Sequence, residues 1–469
     1  MRRSVAIGGG AVVLLALVLP GCYLAALRIG ERDLAAATAR IRTELGPGGS
    51  LDYANAVIHP LSRSAVLERV VLRDASGVTL AVDRLDVSPG AGGRIRGLRA
   101  SPFRLSTPDG TLRAATLEVS GLSLPSPGPA GRIDPAAARF ADAELRNAVV
   151  EASGSVLTLG DLRVADYGRD RPTRIDASNV VDTLSAPRGP ARLTAGDLHA
   201  TGLDAASLIA LAEGGARPVR PPPGDTTVVL HRLAVTQAGT SLGGIDELRG
   251  QTRRDAAGNA SSRVAGTGLV IVPPDPDAAA RLRSLGLDTL HGSFGTDGSY
   301  RRADGVLRVS SASLSLDRIG VLDLGVELDG MIFDPSTVPP ADRTAAAARA
   351  VMAGRLSGLH LRFTDRGLLS ALFDAAARND GMPASVLRAR LADALPRDLR
   401  LAALLPDPAQ LQAVAAFLRD GGTLELRLDP RPPIVLKRLA AAAGDPAALL
   451  ASLNLSAVHD PAGPVSSGL

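Results

Sequence analysis

The sequence predicts a β-dominated α+β fold, in which an N-terminal transmembrane helix precedes an antiparallel meander of hairpins and a helix-rich C-terminal part. Three observations lead to this fold class. An uncharged, mainly apolar run occupies residues 5–27, alternation with a period of two residues dominates from about residue 49 to 335, and helical spacing of apolar residues follows from about residue 340. Alternation with one apolar side is typical of antiparallel strands, so we expect a curled sheet or groove.

The first element is the run from Val5 to Leu27. Its 23 residues would span about 34 Å as a helix, which exceeds the hydrocarbon core of a bilayer, about 30 Å thick. Arg2 and Arg3 precede the run, whereas the charges that follow it nearly cancel. The positive-inside rule therefore predicts a single-pass anchor within residues 1–30, with the N-terminus in the cytoplasm and the bulk of the chain outside it.

Two other interpretations of this segment stay open, a lipoprotein signal and a plain cleaved signal peptide. Leu19-Pro20-Gly21-Cys22 is similar to a bacterial lipobox, which would make Cys22 a lipidation site. Proline is unusual in a lipobox at the position before Gly21, and apolar residues continue past Cys22. An uncleaved anchor is therefore favoured. Cys22 is the only cysteine, which excludes an intrachain disulfide and a cysteine-based metal site.

Composition excludes several classes of partner. Aromatic residues make up 2% of the chain and tryptophan is absent, so the core must consist mainly of Leu, Val and Ala, and few side chains can stack on bases or sugar rings. The 52 basic and 48 acidic residues are interspersed and leave a net charge of only +4. We therefore expect no nucleic-acid partner.

The elements after the anchor follow in order. Glu31–Leu45 has the spacing of an amphipathic helix, and hairpins with similar sequences come next. Their return strands end in Leu85-Asp86-Val87, Leu117-Glu118-Val119 and Leu162-Arg163-Val164, at irregular spacing, which indicates a meander rather than a strict repeat. The predicted sections are 31–217 (helix and first β section), 218–224 (Pro-rich linker), 225–335 (second β section), 336–459 (helices with β segments) and 460–469 (flexible tail).

The cleanest alternation provides the candidate apolar face, which consists of Leu322, Leu324, Val326 and Leu328. Acidic residues alternate with them, and the same pattern recurs over 359–363 and 424–428. Helices are predicted between and after these strands, with proline near several starts and glycine or asparagine near the ends, at 342–353, 366–379, 383–395, 408–419 and 446–453.

No pattern predicts catalysis, a metal or a cofactor. Gly239-Thr240-Ser241-Leu242-Gly243 matches a nucleophile elbow, but no adequate helix follows it, and a hairpin turn is favoured. The six histidines are scattered, without metal-ligand spacing. Asp275 and Asp277 could indicate a cation site, but a carboxylate at this place is expected to cap the helix 278–285 instead.

An N-terminal anchor, a short helix and hairpins ending in Leu-x-Val together resemble the AsmA-like envelope proteins of Gram-negative bacteria and the YdgA-like periplasmic family. The resemblance covers roughly residues 5–335, and the helices of residues 340–453 depart from it. It implies a long sheet curled into a hydrophobic groove, an inner-membrane anchor, a periplasmic location and a role in phospholipid transport or envelope homeostasis. It assigns no functional role to individual residues.

These observations lead to a non-enzymatic protein that binds lipid or an envelope partner on an apolar sheet face. The alternative is a structural or assembly factor of the cell envelope with a sealed core and no ligand, in which the helices after residue 340 bind a partner. An enzyme is the least favoured of the three interpretations.

Overall fold

The computed structural model describes residues 49–461 except for several internal stretches, namely 60, 62–63, 74–76, 91–93, 124–136, 153, 169–170, 188, 207–222, 333–341, 398–404, 406 and 442–452. The predicted anchor, Cys22, the helix expected at 31–45 and most of the linker at 218–224 lie outside the described residues, as does most of the helix expected at 446–453. No helix within the described part has both the length and the apolar character needed to cross a bilayer.

The structure is β-dominated, with 61% of residues in strands and 20% in helices, and the expected antiparallel meander followed by C-terminal helices is confirmed. The chain divides into two compact units, residues 1–241 and 242–469. The strand that follows the segment 218–224 pairs with the strand before it, inside the first unit. This division therefore differs in position from the predicted linker.

The first unit is one antiparallel sheet in which almost every strand pairs with its sequence neighbours. Both of the first two strands pair with the third, and the fifth strand pairs with the sixth and the seventh. The strands are β1 (Ser50–Asp52), β2 (Asn55–His59), β3 (Ser64–Arg73), β4 (Thr79–Pro89), β5 (Ile95–Thr107), β6 (Gly110–Ala114), β7 (Thr116–Leu122), β8 (Phe140–Ala152), β9 (Ser155–Tyr167), β10 (Thr173–Leu184), β11 (Ala191–Leu203) and β12 (Gly224–Gln237).

In several strands of the first unit, the alternation of buried and exposed residues is interrupted by two consecutive outward-facing residues. These interruptions lie opposite one another on paired strands. On β8, Arg146 and Asn147 are both exposed, although the residues on either side of the pair, Leu145 and Ala148, are buried. Arg146 lies opposite Asp161 of β9, where the alternation changes phase in the same way. We call this line of interruptions the crease, and its residue pairs are Glu68-Arg69, Asp83-Arg84, Ser101-Pro102, Ala115-Thr116, Arg146-Asn147, Gly160-Asp161 and Ser178-Asn179.

The crease explains why this unit has a closed core. Asn147 and Asn179 adopt φ values of 50° there, a left-handed conformation that asparagine tolerates better than most residues. Neighbouring strands change phase at the same place, so they stay paired in register. The apolar residues on both sides of the crease belong to a single buried cluster. Stacking of Phe140 on Tyr167, with ring centroids 4.6 Å apart, adds the main aromatic contact of this cluster.

The second unit is also an antiparallel meander, with helices inserted late in its sequence. Its strands are β13 (Thr240–Arg254), β14 (Ala260–Ile271), β15 (Leu290–Arg301), β16 (Val306–Leu316), β17 (Gly320–Asp329), β18 (Arg355–Asp365), β19 (Thr423–Leu428), β20 (Ile434–Val435) and β21 (Leu455–Asp460). β19 and β20 both pair with β18, and β21 pairs with β19.

The helices of the second unit are α1 (Pro276–Ser284), α2 (Arg343–Ala353), α3 (Leu368–Asp380), α4 (Ala384–Ala394), α5 (Pro408–Asp420) and α6 (Leu436–Ala441), and the 3₁₀ turn Leu395–Arg397 follows α4. The first five lie close to their predicted positions. α3 starts two residues later than expected, after Gly367 at a φ of 128°, and ends before Gly381 in the left-handed conformation. α6 was not predicted.

Candidate functional site

The four residues of the candidate apolar face lie on β17 as an uninterrupted alternating row, and we call them the stripe. Leu322 pairs with Leu314 of β16 and Phe363 of β18, and Val326 pairs with Val309 and Leu359 in the same way. Directly paired residues of neighbouring strands share a face. The stripe is therefore the centre of an apolar face that extends across at least three strands.

The stripe is only half-buried. Leu322 keeps 36% of its surface accessible, whereas Leu117, on the inner face of the first unit, keeps 0%. Leu324, Val326 and Leu328 are intermediate. β17 itself alternates without a phase change from Leu322 to Leu328, whereas its pairing with β16 shifts register between Val309 and Ala312, and its pairing with β18 shifts beside Leu328.

Helices cover one side of this face. Leu369 and Phe373 of α3 and Phe417 of α5 form a buried cluster against Phe363 and Leu424, which belong to β18 and β19. The ring of Phe417 meets the ring of Phe363 edge-on, at a centroid separation of 6.1 Å. A second cluster joins α5 to β19 and β21. The stripe on β17 begins beside this helical cover, since Leu322 pairs directly with Phe363.

The opposite face of the same strands carries ion pairs. Arg308 and Glu327 are 2.7 Å apart, and Arg427 and Glu425 are 2.6 Å apart. The hydrogen bond from Arg427 is the main reason that the pKa of Glu425 is lowered from its ordinary value. A shallow depression of about 680 Å³ is lined by these paired charges, by His360, and also by Val326 of the stripe with its paired neighbours Val309 and Leu359.

His360 lies on the polar face, directly over Gly325 of β17. A Cβ atom at position 325 would lie 1.9 Å from Cε1 of the imidazole, so glycine is what allows the ring to rest against the strand. Gly325 is thus a packing position that the alternation alone did not explain. Position 325 faces the polar side, so this glycine does not interrupt the apolar side of β17.

A largely buried carboxylate, Asp182, lies on the apolar side of the first unit. Asp182 of β10 is 8% exposed and lies between Leu157 of β9 and Leu193 of β11, at the margin of the core. Its Oδ1 atom has no hydrogen-bond partner, and burial raises the pKa of the carboxyl group. Asp182 was not predicted as a notable residue, although its position inside an apolar alternation, Val180-x-Asp182-x-Leu184, was the available signal.

The remaining predicted positions are scattered. Ser241 is the second residue of β13, directly after a tight turn at Ala238 and Gly239 with positive φ angles, and a strand rather than a helix follows it. Asp275 caps α1 as expected, since its Oδ2 accepts a hydrogen bond from the Ala278 amide at 3.2 Å. The histidines lie on six different strands, and no group of three or more potential metal ligands occurs within the described residues.

Part of the chain is similar to a protein family for which no activity is described. Residues 313–460 match the model of a family described as "Uncharacterized protein". The matching stretch runs from the middle of β16 to the end of β21, so it contains the whole stripe and the helices that cover the neighbouring strands. No curated protein matches the chain. The stretch that carries the candidate site is thus the one that is similar to a recognised family.

Proposed function

We propose that the chain is a non-enzymatic, membrane-anchored periplasmic protein that binds lipid acyl chains along the apolar face centred on the stripe. The observation that carries this proposal is that the stripe is half-exposed. By comparison, the inner face around Leu117 in the first unit is closed. Four consecutive inward positions of one strand are apolar, and their paired neighbours are apolar too. A continuous exposed apolar surface of this kind is a typical interaction site.

The dimensions suit a single acyl chain. From Leu322 to Leu328 the strand rises through six residues, which is about 20 Å at about 3.3 Å per residue, and one leaflet of a bilayer is about 15 Å thick. Burial of each methylene contributes about 0.8 kcal/mol, so about ten of them would contribute about 8 kcal/mol before the entropic cost of association. No hydrogen-bonding group is needed on the stripe itself.

The first unit supports a different, structural role for that part of the chain. Most inner residues of β3–β9 form one closed cluster within the described residues, which leaves little apolar surface for a ligand there, whereas β12 has no buried residue. We propose that the first unit has a structural role, and that lipid handling belongs to the second unit.

The test is photo-crosslinking from inside the full chain. A photoreactive amino acid replaces Val326, or in the matched control Asp323 on the opposite face of the same strand, in cells grown with radiolabelled phosphate. We expect labelled lipid on the protein with the photoreactive group at 326 and none with the group at 323. A protein adduct at 326 would indicate an envelope partner instead of lipid, and equal labelling at both positions, or none at either, would contradict the proposal.

A further inference from the structure

One end of the stripe meets a group of arginines that make no ion pairs with other described residues. Arg318 is in the turn between β16 and β17, and Arg366 follows β18, where its amide donates to the Ile319 carbonyl of that turn at 3.1 Å. Arg378 belongs to α3. Gly320, the first residue of β17, is two residues from Leu322, or about 7 Å along the strand. The turn therefore lies just beyond the end of the stripe.

Two of these arginines converge on the same short segment. Nη2 of Arg378 donates to the carbonyl oxygen of Ser284 at 2.6 Å, and Nη1 of Arg318 donates to that of Gly286 at 3.1 Å. The two acceptors lie at and just after the C-terminus of α1, so both guanidinium groups contact this end of the helix. We call Arg318, Arg366 and Arg378 the arginine edge, and all three are exposed.

The guanidinium groups of the arginine edge keep unused donors. Each guanidinium has five N–H groups, and carbonyl oxygens take only part of this capacity at Arg318 and Arg378. At the other end of the same sheet the arrangement differs, because Arg301 is neutralised by Asp304 at 2.6 Å. The acidic residues nearest in sequence to the arginine edge make no ion pair with it, and Asp365 accepts from the Leu369 amide instead. They are Asp317, Asp365, Asp374 and Asp380.

We propose that the arginine edge binds the phosphate of an anionic phospholipid whose acyl chain lies on the stripe. This inference rests on the proposed function and adds the class of lipid and its direction. Guanidinium groups bind phosphate oxygens through paired N–H donors, and the apolar row begins where these donors end. The headgroup lies at the turn between β16 and β17, and the chain runs toward Leu328. The paired charges at the far end offer no comparable attraction for a phosphate.

The experiment uses the full chain with the photoreactive group at 326, reconstituted in vesicles of equal parts dioleoylphosphatidylglycerol and dioleoylphosphatidylcholine. Mass spectrometry of the adducts gives their yield and the ratio of the two lipids. Two exposed charge pairs predict an enrichment of about fivefold for the anionic lipid. The double variant Arg318→Gln/Arg378→Gln should lose this enrichment with an unchanged total yield, and Arg366→Gln, which breaks no carbonyl contact, should reduce it.

Two controls separate charge from structure. Arg318→Lys/Arg378→Lys keeps the charges and should keep most of the enrichment, and Arg355→Gln, at the opposite end of β18, should keep all of it. Adducts in the bulk lipid ratio, or enrichment that survives the double Gln variant, would overturn the headgroup site while the proposed function stands. Absence of any lipid adduct at 326 would overturn the proposed function and this inference together.

Discussion

Replacement of Asp182 is the sharpest test of how the closed core of the first unit is built. The carboxyl group is 8% exposed, its Oδ1 atom has no donor, and it lies between Leu157 and Leu193. An unsatisfied buried acceptor destabilises the folded state by about 1–3 kcal/mol. Asp182→Leu should therefore raise the free energy of unfolding by about 1–3 kcal/mol at neutral pH, because leucine matches its neighbours on both strands.

The gain from Asp182→Leu should depend on pH. Burial raises the pKa of Asp182 in the folded state above its ordinary value of 3.8. The folded chain then binds more protons than the unfolded chain, so Asp182 destabilises the protein fully above the raised pKa and progressively less as the pH falls toward 3.8. The advantage of the leucine variant should thus be largest at neutral pH and shrink on acidification.

Urea unfolding of the full chain, followed by far-UV circular dichroism between pH 4 and pH 8, measures this difference. The exposed Asp83 of β4 provides the control, since Asp83→Asn should change stability by less than about 0.5 kcal/mol at every pH. A loss of stability in Asp182→Leu would refute the reasoning, because it would mean that the carboxylate holds a partner in the folded protein.

Three further predictions test the contrast between the units, the topology of the chain and the role of Cys22. Leu145→Ala, in the closed core, should lower the free energy of unfolding by about 2–5 kcal/mol, whereas Leu324→Ala on the stripe should cost less than half as much because its surroundings are already open to solvent, as paired urea titrations would measure. A periplasm-specific reporter fused after Leu45 should be active, and Cys22→Ser should leave processing and membrane retention unchanged. Cytoplasmic reporter activity, or a mass shift matching acylation of the parent protein, would contradict these two expectations.

The hairpins and most of the helices could be predicted because their signals are local. Alternation of period two located β3, β4, β8 and β9, and the proline and glycine boundaries located α5 to within a residue. The stripe could be predicted as one face for the same reason. Whether that face is covered could not be, because its burial depends on α3 and α5, which are distant in sequence and pack on the neighbouring strands.

The crease and the arginine edge needed more than local signals. The two consecutive polar residues at Arg146-Asn147 are visible in the sequence as a change of phase, but only the pairing of strands places them level with Gly160-Asp161 and Ser178-Asn179. Arg318 and Arg378 are 60 residues apart in the chain. Their convergence on α1 follows from tertiary contacts that the sequence pattern does not contain.

The crease also limits how a protein of this kind can change in length during evolution. Deletion of Asn147 alone would turn Ala148 and Val150 outward and leave the apolar residues of the adjacent strands without partners. We therefore expect this unit to lengthen only by whole hairpins, each with its own pair of consecutive polar residues level with the crease.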